Sequence, residues 1–351
     1  MTYRVIQWAT GAMGRACMRG VLERPDLELT GVYVHGREKV GKDAGELIRR
    51  PPIGITASGS IEEIETLEAD VVIHAARLQG SYESHDDDIV RLLRSGKNVI
   101  SINGNTFAPH WRPERRERIH AACRHGGSSF MGAGLNPGFA AEQLAVVASG
   151  VCLDISHLTV SEVVLCNEMR SPDYVFDLLG FGSAPGELDP NGESWAPAST
   201  LNRMFEEVVA SMCHRVGFEI DNITRSHRML TTDHDLEVAA GLIRRGTVNH
   251  LDWCWRGMVD DTPVAELSIA WAMDHSHTGD RGSDTWQIRI EGTPNVNLGF
   301  GLEAPAHLLG RTSVEQLGLA GAVLNAIPHV VAAPPGAVDA PSSMPWHRPP
   351  R

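Results

Sequence analysis

The sequence predicts an α/β chain: a doubly wound parallel sheet, followed by an α+β unit with a mainly antiparallel sheet. Three observations carry this. Short apolar strands alternate with helices through the first third of the chain. Beyond residue 134 the strands become longer and alternate in polarity. A length of 351 residues exceeds what one small core organises, so two domains are expected.

Each element has a local cause. YRVIQWAT (3–10) reads as a buried strand, and residues 12–24 as a helix stopped by Pro25. LELTGVYV (27–34) is the second strand. A short helix (61–69) leads into the strand DVVIHAA (70–76). The helix at 86–95 opens on Asp86, Asp87 and Asp88, acids that suit the positive end of a helix dipole. KNVISI (97–102) is a strand. PERRERIHAACRHG (113–126) is a helix whose mixed charges at helical spacing suit an exposed face. SSFMGAG (128–134) returns to the sheet.

In the second unit, helices are expected at 138–149 and 199–215, and strands at 156–166, 247–259, 263–274, 285–292 and 295–303. DHSHTGD (274–280) reads as a hairpin loop. Its His275 and His277 give no ligand set of known geometry, so no metal is expected. Thr312 and Glu315 form a capping box before a helix at 312–333 that returns to the first unit. The proline-rich tail, 334–351, should be extended.

Composition narrows the function. A net charge of −13, from 31 basic and 44 acidic residues, argues against a nucleic-acid partner. A local cluster can still hold an anionic cofactor. MTYRVIQW lacks the pattern of a signal peptide, and no apolar run is expected to span a bilayer. A cytoplasmic location without a membrane partner is therefore expected. None of the six cysteines is spaced Cys-x-x-Cys, and they are expected as buried apolar residues rather than disulfides.

The chemistry begins at the turn Ala9-Thr10-Gly11-Ala12-Met13-Gly14, which ends the first strand and opens the first helix. A dinucleotide fingerprint asks for Gly-x-Gly-x-x-Gly, and here Ala9 holds the first place. Gly11 lets a pyrophosphate approach the backbone, Gly14 lets helix and strand pack closely, and the helix N-terminus offers free N–H groups. Arg15 follows in the first turn, and Ala75 and Ala76 close the strand 70–76; all three are counted with the cofactor contacts. In an NAD site an acid near the end of the second strand binds the ribose. This strand ends in Val34 and His35, followed by Gly36, Arg37 and Lys39. Cationic groups suit a 2′-phosphate, so NADP(H) is preferred, with NAD(H) possible.

VIQWATGAMGR, GVYVHGREKVGKDAGEL, RLLRSGKNVIS and GAGLNPGF resemble the dihydrodipicolinate-reductase-like oxidoreductases. Within them the chain is similar to the branch of 2,4-diaminopentanoate dehydrogenase and native NAD(P)H-dependent amine dehydrogenases. LLGFGSAPGE, AAGLIRRGTVNHL and LNAIPHVVAAPPG extend the likeness over most of the chain. The resemblance implies a Rossmann domain (1–134), a substrate-binding and dimerisation domain (135–310) and a homodimer. The implied reaction is hydride transfer between nicotinamide and a C=N or C=O carbon of a small substrate. The resemblance sets LNPGF (135–139) beside the nicotinamide, with Asn136 bonding the carboxamide and Phe139 lining a pocket where SINGNTF and NPGF meet.

One departure stands out. Amine-forming members carry an acid after the strand that matches KNVISI. Here the stretch is SINGNTFAPH, with Asn103 and Asn105, and no Asp or Glu lies between Asp88 and Glu114. An amide bonds a carbonyl or amine but is no general base, and a proton relay contributes about 10²–10⁴-fold. Glu162 and Tyr174 are substitute catalytic candidates. Glu168 and His227 are substrate-binding candidates, and His234 is a further titratable group. Two rival readings are a cofactor-binding regulator without turnover and an imine reductase of the dihydrodipicolinate type, whose longer histidine- and lysine-containing signature is not found here.

Overall fold

β1 (Tyr3–Trp8) is buried from Val5 onward and forms the middle of a parallel sheet in the computed structural model. The structure describes residues 2–78, 80–279, 285–308 and 312–341. β1 pairs with β2 (Leu27–Tyr33) on one side and β4 (Val71–His74) on the other. β3 (Ala57–Ser58) extends the β2 side, while β5 (Asn98–Ser101) and β6 (Ser129–Gly132) extend the β4 side. Strand order therefore reverses at β1 and β4, and the carboxyl ends of those two strands flank the switch point where such sheets bind ligands.

Alternate residues of β1 feed opposite layers. Val5 joins α1 (Ala12–Glu23) through Ala16 and Val21. Ile6 and Trp8 join α4 (Asp86–Arg94) and α5 (Pro113–Gly126) through Leu92 and Ile119. Two short helices lie between, α2 (Ala44–Leu47) and α3 (Ile61–Thr66). Pro113 starts α5 at a position that needs no N–H donor, and Gly127 ends it in the left-handed region at φ 66°.

Two compact units make up the chain, Met1–Phe139 with Ala304–Arg351, and Ala140–Glu303. In the second, α6 (Ala145–Ser149) precedes β7 (Ile155–Leu165), and α7 spans Ala196–Val216. α7 starts three residues earlier than the pattern predicts, with a proline in its first turn. Four short strands that the sequence reading passes over follow it: β8 (Asn222–Arg225), β9 (Arg228–Thr231), β10 (Leu236–Val238) and β11 (Gly241–Ile243). The long strands are β12 (Val248–Val259), β13 (Thr262–Ala272), β14 (Thr285–Gly292) and β15 (Val296–Gly301).

Their order is β15-β14-β7-β13-β12-β8, and β7 with β13 is a parallel pair in an otherwise antiparallel sheet. β13 and β14 thus flank β7 rather than each other, so they are not the two arms of the hairpin expected around DHSHTGD, whose Asp280 lies outside the described residues. One sheet face packs on α7, with Trp255, Leu267 and Ile288 against Val208 and Met212 in a common core.

The chain then returns to the first unit. α8 (Val314–Ala332) is capped by Ser313, whose hydroxyl accepts from the Gln316 N–H, so the cap falls one residue after Thr312. α8 is long and apolar enough to cross a membrane, contrary to the expectation that no run is. Its Val323, Leu324 and Ile327 are buried in the first unit's core with α1, which explains the apolar composition. β16 (Gly336–Ala337) pairs in parallel with β6, so the start of the tail is a seventh strand.

Candidate functional site

Gln7, Ala9 and Gly14 build the turn at the carboxyl end of β1. Ala9 stands where the fingerprint has its first glycine, and it adopts φ 69°, the left-handed conformation that a glycine takes without strain. Buried Gln7 supports it: its Nε2 donates to the Ala9 carbonyl at 3.0 Å and to the Trp8 carbonyl at 3.2 Å. A Cβ on Gly14 would stand 2.2 Å from the Ala9 carbonyl oxygen, which no real contact allows. Gly14 is therefore required for packing. Gly11 differs: a Cβ there would meet nothing within 4 Å. Gly11 caps α1 without a side-chain bond, and its carbonyl accepts from the Arg15 N–H at 2.9 Å.

That open space fits an anion. The first N–H groups of α1 have no partner inside the helix and carry its positive dipole end. Thr10 is buried with its hydroxyl unpaired beside the turn. Ala12 is exposed and Met13 and Arg15 are half-buried on the same first turn. A diphosphate would satisfy the N–H groups and the Thr10 hydroxyl together. At the neighbouring strand end, Ala75 N–H donates to the Trp8 carbonyl at 2.9 Å. The Ala76 carbonyl accepts from Asn103 Nδ2 at 2.7 Å. These bonds tie the ends of β1, β4 and β5 into one edge.

Aromatic and imidazole rings crowd the same edge. Trp8 stacks on Tyr33 at 3.6 Å and on His74 at 5.8 Å, and His74 lies 5.0 Å from His85. His74 is fully buried with both ring nitrogens unpaired, and burial pushes its pKa down to about 3, with His85 and His35 adding to the fall. It is neutral at physiological pH. After β2, His35 and Arg37 are exposed and Lys39 is half-buried. Glu38, which the sequence reading passes over, folds its carboxylate back over Gly36: a Cβ there would lie 2.4 Å from its oxygen. An acid a few residues beyond a strand end was the available signal.

The loop after β5 holds the two asparagines differently. Asn105 sits at φ 62° and is buried. Its Nδ2 donates to Ser101 Oγ and to the Asn103 carbonyl, both at 3.1 Å, and its Oδ1 accepts from Arg115 Nη2 at 2.6 Å. Arg115 in turn holds buried Asp86 through two bonds of 2.7 and 2.8 Å, with its guanidinium 4.6 Å over Trp111. Both ends of the Asn105 amide are thus committed. Asn103 is half-buried, and its Nδ2 is bonded to the Ala76 carbonyl. Helix α5 is accordingly not a wholly exposed face: Arg115, Ile119, Ala122 and Cys123 form its buried stripe, at the spacing i, i+4, i+7, i+8.

Asn136 and Phe139 belong to the first unit. Asn136, Pro137 and Gly138 break the helical run Leu135–Leu144, with Gly138 at φ 119°, and the Phe139 N–H donates to the Gly134 carbonyl at 3.0 Å. In the second unit Glu162 is buried on β7, paired across to Trp286 and Ile269. Tyr174 is half-buried in the turn Asp173–Leu178, and Glu168 is exposed. His227 has both nitrogens occupied: Nδ1 accepts from the Cys254 N–H at 2.9 Å, which makes Nε2 the donor to Asn202 Oδ1 at 2.7 Å. Burial pushes its pKa down to about 4, with Arg225 adding to the fall. His275 and His277 bond to Thr278 Oγ1 and the Thr231 carbonyl, each at 3.2 Å.

Comparison with known families decides what kind of chain carries this turn. The model of the 2,4-diaminopentanoate dehydrogenase C-terminal domain matches residues 139–346. The chain belongs to that family. A second model, the N-terminus of dihydrodipicolinate reductase, matches residues 5–100. The chain is 28% identical to an amine dehydrogenase of Streptomyces virginiae over 95% of its own length and 94% of the relative's. It is 24% identical to the 2,4-diaminopentanoate dehydrogenase of Acetoanaerobium sticklandii, covering 95% and 91%. The solved amine dehydrogenase of Mycobacterium smegmatis shares the fold at a TM-score of 0.81 and 19% identity, covering 99% of this chain and 98% of that one. The family and the α/β architecture expected from the sequence are thereby borne out. The chain is an NAD(P)-dependent oxidoreductase.

Proposed function

We propose that the protein is an NADP(H)-preferring oxidoreductase that transfers hydride to a C=O or C=N carbon of a small substrate. The observation that carries this reading is the opening of α1, where Gly11 leaves space, Thr10 offers an unpaired buried hydroxyl and the helix supplies free N–H groups. His35, Arg37 and Lys39 after β2 favour a 2′-phosphate, and Glu38 opposes it. Asn136 is the proposed carboxamide contact and Phe139 the proposed substrate contact. A homodimer and a cytoplasmic location belong to the same reading, by likeness to the family.

In the loop after β5, Asn103 is the residue to test. Asn105 is held by Ser101 and Arg115, so an acid introduced there would contest the Arg115–Asp86 pair. We propose carbonyl or imine reduction with Glu162 or Tyr174 as proton donor, rather than efficient amine formation. A panel of small ketones, aldehydes and cyclic imines, with and without ammonium, should oxidise NADPH faster than NADH. Asn103→Glu should raise reductive amination at least tenfold if a missing acid limits it. An unchanged rate would remove this loop from the proton pathway. A second reading, coenzyme binding without turnover, is favoured by the neutral loop. Saturable NADPH binding with no oxidation across the panel would establish it.

A further inference from the structure

The end of β2 carries one exposed imidazole, His35, among aromatic rings and beside the charged loop Arg37–Lys39. The His35 ring meets Tyr33 edge-on at 5.0 Å and Trp8 at 6.2 Å, and lies 6.3 Å from His85. Several groups face it. β1 contributes Trp8, and β4 contributes His74, which stays neutral. The start of α4 contributes His85 and Asp88, and Arg37, Glu38 and Lys39 follow His35 in its own loop. Desolvation holds the His35 pKa below its ordinary value of 6.5, His85 adds to the fall, and Asp88 opposes it. Glu38 lies on the other side of Gly36 in sequence, its carboxylate folded over that glycine.

A ribose 2′-hydroxyl needs an acceptor, and Glu38 is one. A 2′-phosphate needs cations and donors and is repelled by a carboxylate. Resting on the reading that a coenzyme's adenosine end lies at β2, we propose that His35 makes coenzyme choice depend on pH. Its imidazolium recruits a 2′-phosphorylated coenzyme in spite of Glu38. Its neutral form leaves the ribose hydroxyls of the unphosphorylated coenzyme to Glu38. A bound phosphate raises the imidazole's pKa, so NADPH binding takes up a proton and NADH binding does not.

The test is fluorescence titration of the full chain with NADPH and NADH from pH 5.5 to 8.5, for the wild type, His35→Gln and His35→Lys. His35 is exposed, so neither substitution threatens folding. The wild-type ratio of Kd for NADH to Kd for NADPH should fall about threefold or more between pH 6 and pH 8, the tenfold of one pKa unit being offset in part by ionisation of the ligand phosphate near pH 6. His35→Gln should lose that fall and keep only the opposite slope from the ligand phosphate's own ionisation near pH 6. His35→Lys should hold the NADPH preference through pH 8. Equal slopes in wild type and His35→Gln, with both coenzymes binding saturably, would overturn the pH-dependent choice alone. If neither coenzyme binds saturably, the coenzyme reading fails and this proposal fails with it.

Discussion

Gly11→Ala tests whether a glycine with open space beside it serves a ligand rather than packing. In the free chain the added methyl meets no atom within 4 Å, and φ −66° is open to any residue. Fewer unfolded conformations should stabilise the variant by about 0.4–1 kcal/mol. Alanine is a poorer N-cap than glycine by a similar amount, so the two effects nearly cancel. The melting temperature should therefore stay within about 2 °C of wild type, since 1 kcal/mol shifts a unit of this size by about 2–4 °C. Coenzyme binding should respond differently. The methyl occupies the space through which a phosphate oxygen would reach the α1 N–H groups. Losing one charge-assisted hydrogen bond costs about 1.5–3 kcal/mol, or roughly 10- to 150-fold in Kd. Thermal unfolding with and without NADPH, together with titration calorimetry, reads both quantities. Wild-type affinity in Gly11→Ala would show that no diphosphate approaches this turn, and the site assignment would be lost.

Three further outcomes follow from the same geometry. Gly14→Ala should lower stability by about 1–3 kcal/mol as α1 is pushed off the Ala9 carbonyl, and an unchanged denaturation midpoint would contradict the close approach. Arg115→Met should cost about 3–5 kcal/mol in chemical denaturation, because it leaves buried Asp86 without its cation; a loss below about 1 kcal/mol would mean Asp86 is solvated. His74 has a folded pKa of about 3 against an ordinary 6.5, so between those values only the unfolded chain binds its proton. Its contribution is complete above about pH 6.5 and is lost by about 1.4 kcal/mol per pH unit as pH falls. His74→Phe should flatten stability against pH in that window, and an identical profile in the variant would place His74 in contact with water.

Local sequence determined the parallel sheet and the glycine turn after its first strand, because both are written within a few neighbouring residues. β1, β2, β4, β5 and β6 stand on the short apolar runs of the sequence, and Gly11 and Gly14 follow the first strand at the fingerprint spacing. The buried stripe of α5 is also legible in the spacing of Arg115, Ile119, Ala122 and Cys123. Tertiary structure decided the rest. Nothing near Asn105 in sequence announces that Arg115 and Ser101 hold both ends of its amide, or that Cys254 and Asn202 occupy both nitrogens of His227. The parallel pairing of β7 with β13 across about a hundred residues is likewise invisible to a period-two pattern, which specifies a strand's faces but not its neighbours. Hydrogen-bond partners and burial are set by residues distant in the chain, so a polar side chain reads the same in sequence whether the fold leaves it open to a substrate or consumes it.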